Sequence, residues 1–259
     1  ICKNVVDGIG DLSETYFFIC NEEQLSTEML ISDLERHQRS DSSSELSSRN
    51  GFVYQRPKDE KIVGRYLYAD VDTEITYGGE INQLVTEGSI EFEIDTDKEY
   101  LIVKSTSVTD VQRFKSVIKR KTHLEITTPV PSNMNDWIDG FLSEIESIRG
   151  SDSCTVREVV SMGLEMLPDS EGGHEVIEMS GQDLRTHEEV RRLRSEGWYV
   201  KKVEVKIEYE ERIHTVVATI GEIMTYLKVE KITDIDAGVR LFDVVRDVFL
   251  DIIRRSTQA

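Results

Sequence analysis

Tyr100-Leu101-Ile102-Val103-Lys104-Ser105-Thr106-Ser107-Val108-Thr109-Asp110 is echoed by Tyr226-Leu227-Lys228-Val229-Glu230-Lys231-Ile232-Thr233-Asp234-Ile235-Asp236, 126 residues further on. Tyr100, Leu101, Val103, Ser107 and Asp110 are answered by Tyr226, Leu227, Val229, Thr233 and Asp236. After a slip of one residue, Arg113, Val117 and Ile118 are answered by Arg240, Val244 and Val245. Each stretch begins as an alternating strand, passes a Ser/Thr-x-x-Asp helix start and enters an amphipathic helix. The phrase therefore predicts two copies of one α+β unit. The competing account is that Leu, Val and capping residues recur at any strand–helix junction.

Outward from this phrase, the first half reads as one unit, 1–128. Tyr16–Cys20 is an expected strand. A helix capped by Asn21, with Gln24 at the third position, carries Leu25, Met29, Leu30 and Leu34. The Ser-rich run 39–51 that follows reads as a solvated, mobile loop. From Arg65 the period becomes two, placing Leu67, Ala69, Val71, Thr73 and Ile75 on a core face and Tyr66, Tyr68, Asp70 and Asp72 outside. After the Gly78-Gly79 turn, Ile90, Phe92 and Ile94 point inward, and Glu91 and Glu93 point outward. The helix after Ser107 buries Val111, Phe114, Val117 and Ile118.

Pro129 and Pro131 mark a break. Region 129–170 reads as a helical connector of two helices, one carrying Trp137, Ile138, Phe141, Leu142 and Ile145, the other opening at Thr155-Val156-Arg157-Glu158 and stopping before Pro168. The second unit, 171–259, opens with a strand at His174–Met179 and a helix at Thr186-His187-Glu188-Glu189 closed by Gly197. Three strands lead from there to a long last helix. The fold class is α+β: two similar strand–helix–antiparallel sheet–helix units joined by a helical pair, with helices on a curved, saddle-like sheet. This element order resembles that of the TATA-binding-protein fold, in order alone, and it lends no function.

Composition bounds the function. Fifty acids against 31 bases give a formal charge of -19, which repels nucleic acid phosphates and fits either salt adaptation or an acidic binding surface. Cys2, Cys20 and Cys154 have no metal-ligand spacing and are odd in number, so a reducing cytoplasm is the expected compartment. No apolar run suits a membrane span. The chain opens on Ile1, which leaves room for an upstream segment. None of the five histidines pairs with another at ligand spacing, no catalytic motif is present, and no metal or cofactor is expected. Cys154 stands just before an expected helix start, where a lone Cys is more often structural.

Charge is the informative pattern. From Asp70 to Glu99 there are ten acids and one base, Lys98. Tyr66, Tyr68, Glu91, Glu93 and Tyr100 would share the open face of that sheet, suited to a protein partner with a basic surface. The leading expectation is a non-enzymatic interaction protein using this face. The alternatives are a nucleic-acid-associated protein using the basic helix residues Arg113, Lys115, Lys119 and Arg120, or a small-molecule binder or enzyme with a pocket between sheet and helices. The helix macrodipole alone also accounts for bases at a helix C-terminus.

Overall fold

The computed structural model describes residues 10–21, 26–39, 50–58, 60–75, 77, 81–130, 136–166, 175–232 and 234–257. It is a mixed α+β protein in two compact units, Thr15–Thr127 and Thr128–Ala259 with Ile1–Glu14.

In the N-terminal unit the chain runs β1 (Gly10–Ile19), α1 (Thr27–Arg36), β2 (Gly51–Lys58), β3 (Lys61–Ile75), β4 (Ile81–Asp95), β5 (Tyr100–Val103), α2 (Val108–Lys121) and the short β6 (Ile126–Thr127). The strands are antiparallel in the order β2-β3-β4-β5-β1, with β6 also beside β1. Ser107 caps α2 by accepting from the Asp110 amide, and Val111, Phe114, Val117 and Ile118 lay the helix on the sheet. Phe114 meets Phe52, Tyr66 and Phe92 at ring distances of 5.0–6.5 Å. Ser26, not Asn21, caps α1, and Leu30 and Leu34 form its buried stripe while Met29 is exposed. Gln24, Leu25, most of the Ser-rich run and Gly78-Gly79 lie outside the described residues.

The register corrects one expected face. Tyr66 stands opposite Ile90 and Gly64 opposite Phe92, so Tyr66 and Tyr68 share the helix-covered face with Ile90, Phe92 and Ile94. Leu67, Ala69 and Val71 are the residues that point the other way, beside Glu91 and Glu93. An aromatic residue gains more by burial than Ala or Val, which decides the orientation.

The C-terminal unit contains α3 (Trp137–Ser147), β7 (Cys154–Met166), β8 (Glu175–Ser180), α4 (Glu188–Ser195), β9 (Tyr199–Tyr209), β10 (Arg212–Thr219), β11 (Thr225–Ile232) and α5 (Ile235–Thr257). The strand order is β11-β10-β9-β7-β8, again antiparallel, and residues 10–14 of β1 lie beside β11, where Asp11 takes the Lys231 amide and pairs with Lys228. α3 and α5 meet through Phe141 and Phe249, with Trp137 against both. The expected helix from Thr155 is a strand, β7. Cys154 therefore opens a strand, and burial, aided by Asp152, pushes its thiol up to about 11. Gly197 adopts φ 95° just after α4, as a closing glycine should.

Candidate functional site: an acidic β-ribbon

β3 and β4 are each 15 residues long and pair over their whole length. β2 flanks β3 only as far as Leu67, and β5 flanks β4 only from Phe92 onward. Beyond those points, among the described residues, the two strands pair with each other alone. The segments 68–75 and 81–88 thus form a two-stranded ribbon that extends about 25 Å past the rest of its sheet, at about 3.3 Å per residue.

Alternation along the ribbon gives its two faces different chemistry. Val71 pairs with Val85, and Ile81 lies further along the same face, the one away from the helices. There Val71 is 40% and Ile81 68% exposed, so an apolar stripe lies open. On the other face Asp70 pairs with Thr86 and Asp72 with Leu84, the latter also exposed. Between Tyr66 and Asp97 the chain has nine acids and no Lys, Arg or His. The sequence pattern marks Val71 and its neighbours as core; they are apolar for a face that this unit leaves uncovered.

The root of the ribbon is fixed to α2. Tyr68 lays its ring across Gly88, where an added Cβ would run into the ring and force it to shift. The Tyr68 hydroxyl donates to Asp110 at 3.2 Å. Arg113 covers the ring, 3.9 Å from its centroid, and its two terminal nitrogens donate to Asp70 at 2.8 and 2.7 Å. That hydrogen bonding holds the Asp70 carboxyl below its ordinary range. The side-chain carbonyl of Asn50 takes the Ala69 amide at 2.7 Å, just beyond the last residue that β2 flanks. Further along, Arg39 reaches Glu87 at 3.9 Å.

The five expected contact residues are not brought together. Tyr66 and Tyr100 are only 8% and 5% exposed, and Tyr68 is half-buried against α2. Glu91 and Glu93 do lie on the face opposite the helices, but Arg65 stands across from Glu91 and Lys61 bridges Glu93 at 3.3 Å. On the ribbon, Asp70 and Glu87 meet Arg113 and Arg39 from other elements, and the ribbon segments themselves contain no base. Of the four α2 residues expected to meet nucleic acid, Arg113 is engaged by Asp70. Lys115 is half-buried over the Phe17 ring, where burial and, to a smaller extent, the charge of Lys119 lower its pKa. Lys119 and Arg120 remain exposed beside Lys121, a cluster in the last turn and not a track along the helix.

Among the described residues no three His, Cys, Asp or Glu side chains gather to hold a metal ion, and no helix is long and apolar enough to cross a membrane. A comparison with models of protein families and one with curated proteins each found no match.

Proposed function

We propose that the chain is a non-enzymatic interaction protein whose β3–β4 ribbon takes up a basic, extended segment of a protein partner. The observation that carries this reading is the open stripe of Val71, Ile81 and Val85 on a ribbon without a single base. A ribbon whose strands are unflanked among the described residues offers backbone groups for strand addition, apolar side chains for alternate pockets, and acids for charge complementarity. A second copy of the chain is the poorer occupant, because it would set acids against acids. Nucleic acid would meet the same repulsion at each phosphate.

A synthetic decapeptide alternating Lys and Val tests the reading by titration calorimetry. Saturable binding that weakens with salt, and that falls at least tenfold in Val71→Ser/Val85→Ser, is expected. No binding, or binding indifferent to that change, overturns it. A dimer that the same change dissolves overturns it in favour of self-association.

We also infer that the two units are copies of one ancestral unit. The support is matched order: segment of β1, helix, then a four-strand meander whose last strand lies beside β1, then a helix. In that correspondence α3 matches α1, β7 matches β2, and β9, β10 and β11 match β3, β4 and β5. Tyr100 on β5 and Tyr226 on β11 then hold equivalent strands. The β8–α4 segment is an addition to one copy, and the long ribbon is an addition to the other. A superposition of experimental structures of the separate units that placed Tyr100 and Tyr226 on different strands would remove this inference.

A further inference from the structure

A cavity of about 400 Å³ opens in the N-terminal unit where the C-terminal ends of α1 and α2 approach β2 and β3. Its charged lining is Arg36, His37, Arg120 and Lys121, and Phe52 and Tyr66 form its floor. In a chain of formal charge -19 this is a local reversal of sign.

Helix ends attract bases, and the two carbonyl termini here carry roughly half a negative charge each, which the three full positive charges exceed by about two units. Among the described residues the usual acid partners are also scarce. Arg36 has Asp33 at 3.5 Å, but Asp33 is already held by the amide and ring nitrogen of His123 at 2.9 and 2.7 Å. Arg120 gives its Nε to the Ser116 carbonyl of its own helix. Among the described residues no carboxylate lies within ion-pair distance of Arg120 or Lys121. Burial and, to a smaller extent, the nearby Lys121 lower the pKa of His37.

The backbone holds this geometry in place. The Phe52 amide donates to the His37 carbonyl at 3.0 Å and the Arg39 amide to the Phe52 carbonyl at 3.2 Å. That approach is possible because residue 51 is glycine: a Cβ there would lie 2.5 Å from the Arg39 nitrogen and 2.9 Å from the His37 oxygen. The end of α1 is thereby fixed against the sheet beside the end of α2, which gathers cations from separate elements.

We propose that this cavity binds a small phosphorylated molecule, its phosphate held by Arg120, Lys121 and Arg36. Guanidinium groups match phosphate oxygens in pairs, and the volume exceeds what a bare phosphate fills. The site is separate from the ribbon and does not depend on the function proposed for it. Phosphorus NMR titrations at low ionic strength with inorganic phosphate and with ribose 5-phosphate distinguish the two sources of the group. Saturable binding of either, weakened at least tenfold in Arg120→Gln/Lys121→Gln and unchanged in Arg255→Gln, is expected. Equal affinities identify phosphate itself as the ligand chemistry; tighter ribose 5-phosphate identifies an organic monoester. Gly51→Ala, read by circular dichroism to confirm folding, should also weaken binding by displacing residues 37–39. Absence of saturable binding, or equal weakening by Arg255→Gln in the other unit, overturns the proposal.

Discussion

Arg113 lies 3.9 Å above the ring centre of Tyr68 while gripping Asp70 with both terminal nitrogens, so one side chain on α2 secures two residues at the root of the ribbon. Lys in its place keeps the charge but loses both the planar stacking and the paired hydrogen bonds. A two-stranded ribbon is marginal by itself, so its order should depend on that anchor. In Arg113→Lys, amide exchange in residues 69–73 and 83–87 should accelerate several-fold while the buried turns of α2 keep their protection. Equal protection in both proteins would show that the strands hold themselves.

His214 supplies the pH prediction. It faces the core from β10, opposite Ile207, with no hydrogen-bond partner for Nε2 among the described residues. Burial, reinforced by Arg212, lowers its pKa from 6.5, against weaker opposing pulls from Asp234 and Glu210. The unfolded chain then takes up the proton first, so stability is full well above pH 6.5 and falls as pH drops through 6.5 toward the lower folded value. His37 shifts the same way, so the test is the difference between proteins. His214→Leu should flatten the fall in urea midpoint between pH 7.5 and 5.5; an unchanged slope would exclude His214 as its source.

Trp137 places its Nε1 2.6 Å from the Val200 carbonyl inside the C-terminal unit. Phe in its place keeps the contacts with Phe141 and Phe249 but deprives a buried carbonyl of its side-chain donor. Leaving a buried polar group unsatisfied costs about 1–3 kcal/mol, and urea unfolding should report a loss of that order in Trp137→Phe. A loss near zero would mean that the carbonyl has another partner.

The sequence makes the helices α2 and α5 and the strands around Tyr100 and Tyr226 readable, because each has a clean period and a cap or turn at its end. Strand β7 is not readable in the same way. Its pairing with β9 shifts between Val156 and Glu158, between Val159 and Ser161, and between Gly163 and Leu164. Those shifts bury Val156, Val159 and Met162 at intervals of three, which is helical spacing carried by a bulged strand. On β3 the difficulty is different. Both faces carry apolar residues, so alternation fixes the period without saying which face is covered. The basic cavity is hidden in the sequence because Arg36, Gly51 and Lys121 come from separate elements, α1 joined to β2 by the backbone contacts of residues 37–39 and 52 and to the end of α2 by the bonds between Asp33 and His123.

Net charge sets an expectation for the whole chain. With 50 acids against 31 bases, self-repulsion should destabilise the fold at low ionic strength, where the screening length reaches about 30 Å at 0.01 M. Melting temperatures should therefore rise from low salt to above 1 M. A flat or falling series would mean that ion pairs, such as Lys206 with Glu158 at 2.6 Å, outweigh the general repulsion.

The acids of the ribbon have a second role that can be tested apart from any partner. Long unflanked strands with exposed apolar residues invite pairing between copies, and charge is one way in which proteins prevent it. Glu87 shares the face of the Val71 and Val85 stripe and Asp72 lies on the other face, in a segment without bases of its own. Neutralising both, as Asp72→Asn/Glu87→Gln, should leave the unit folded, since exposed substitutions usually cost within about 0.5 kcal/mol. The neutralised protein should nevertheless self-associate at concentrations where the parent chain does not, as measured by sedimentation velocity. Adding Val71→Ser and Val85→Ser should restore the parent behaviour, because strand pairing without an apolar stripe gains too little to offset the entropy of association. If the neutralised chain stays dispersed, the acids are not what keeps copies apart, and the preference for a basic partner over a second copy loses its physical ground.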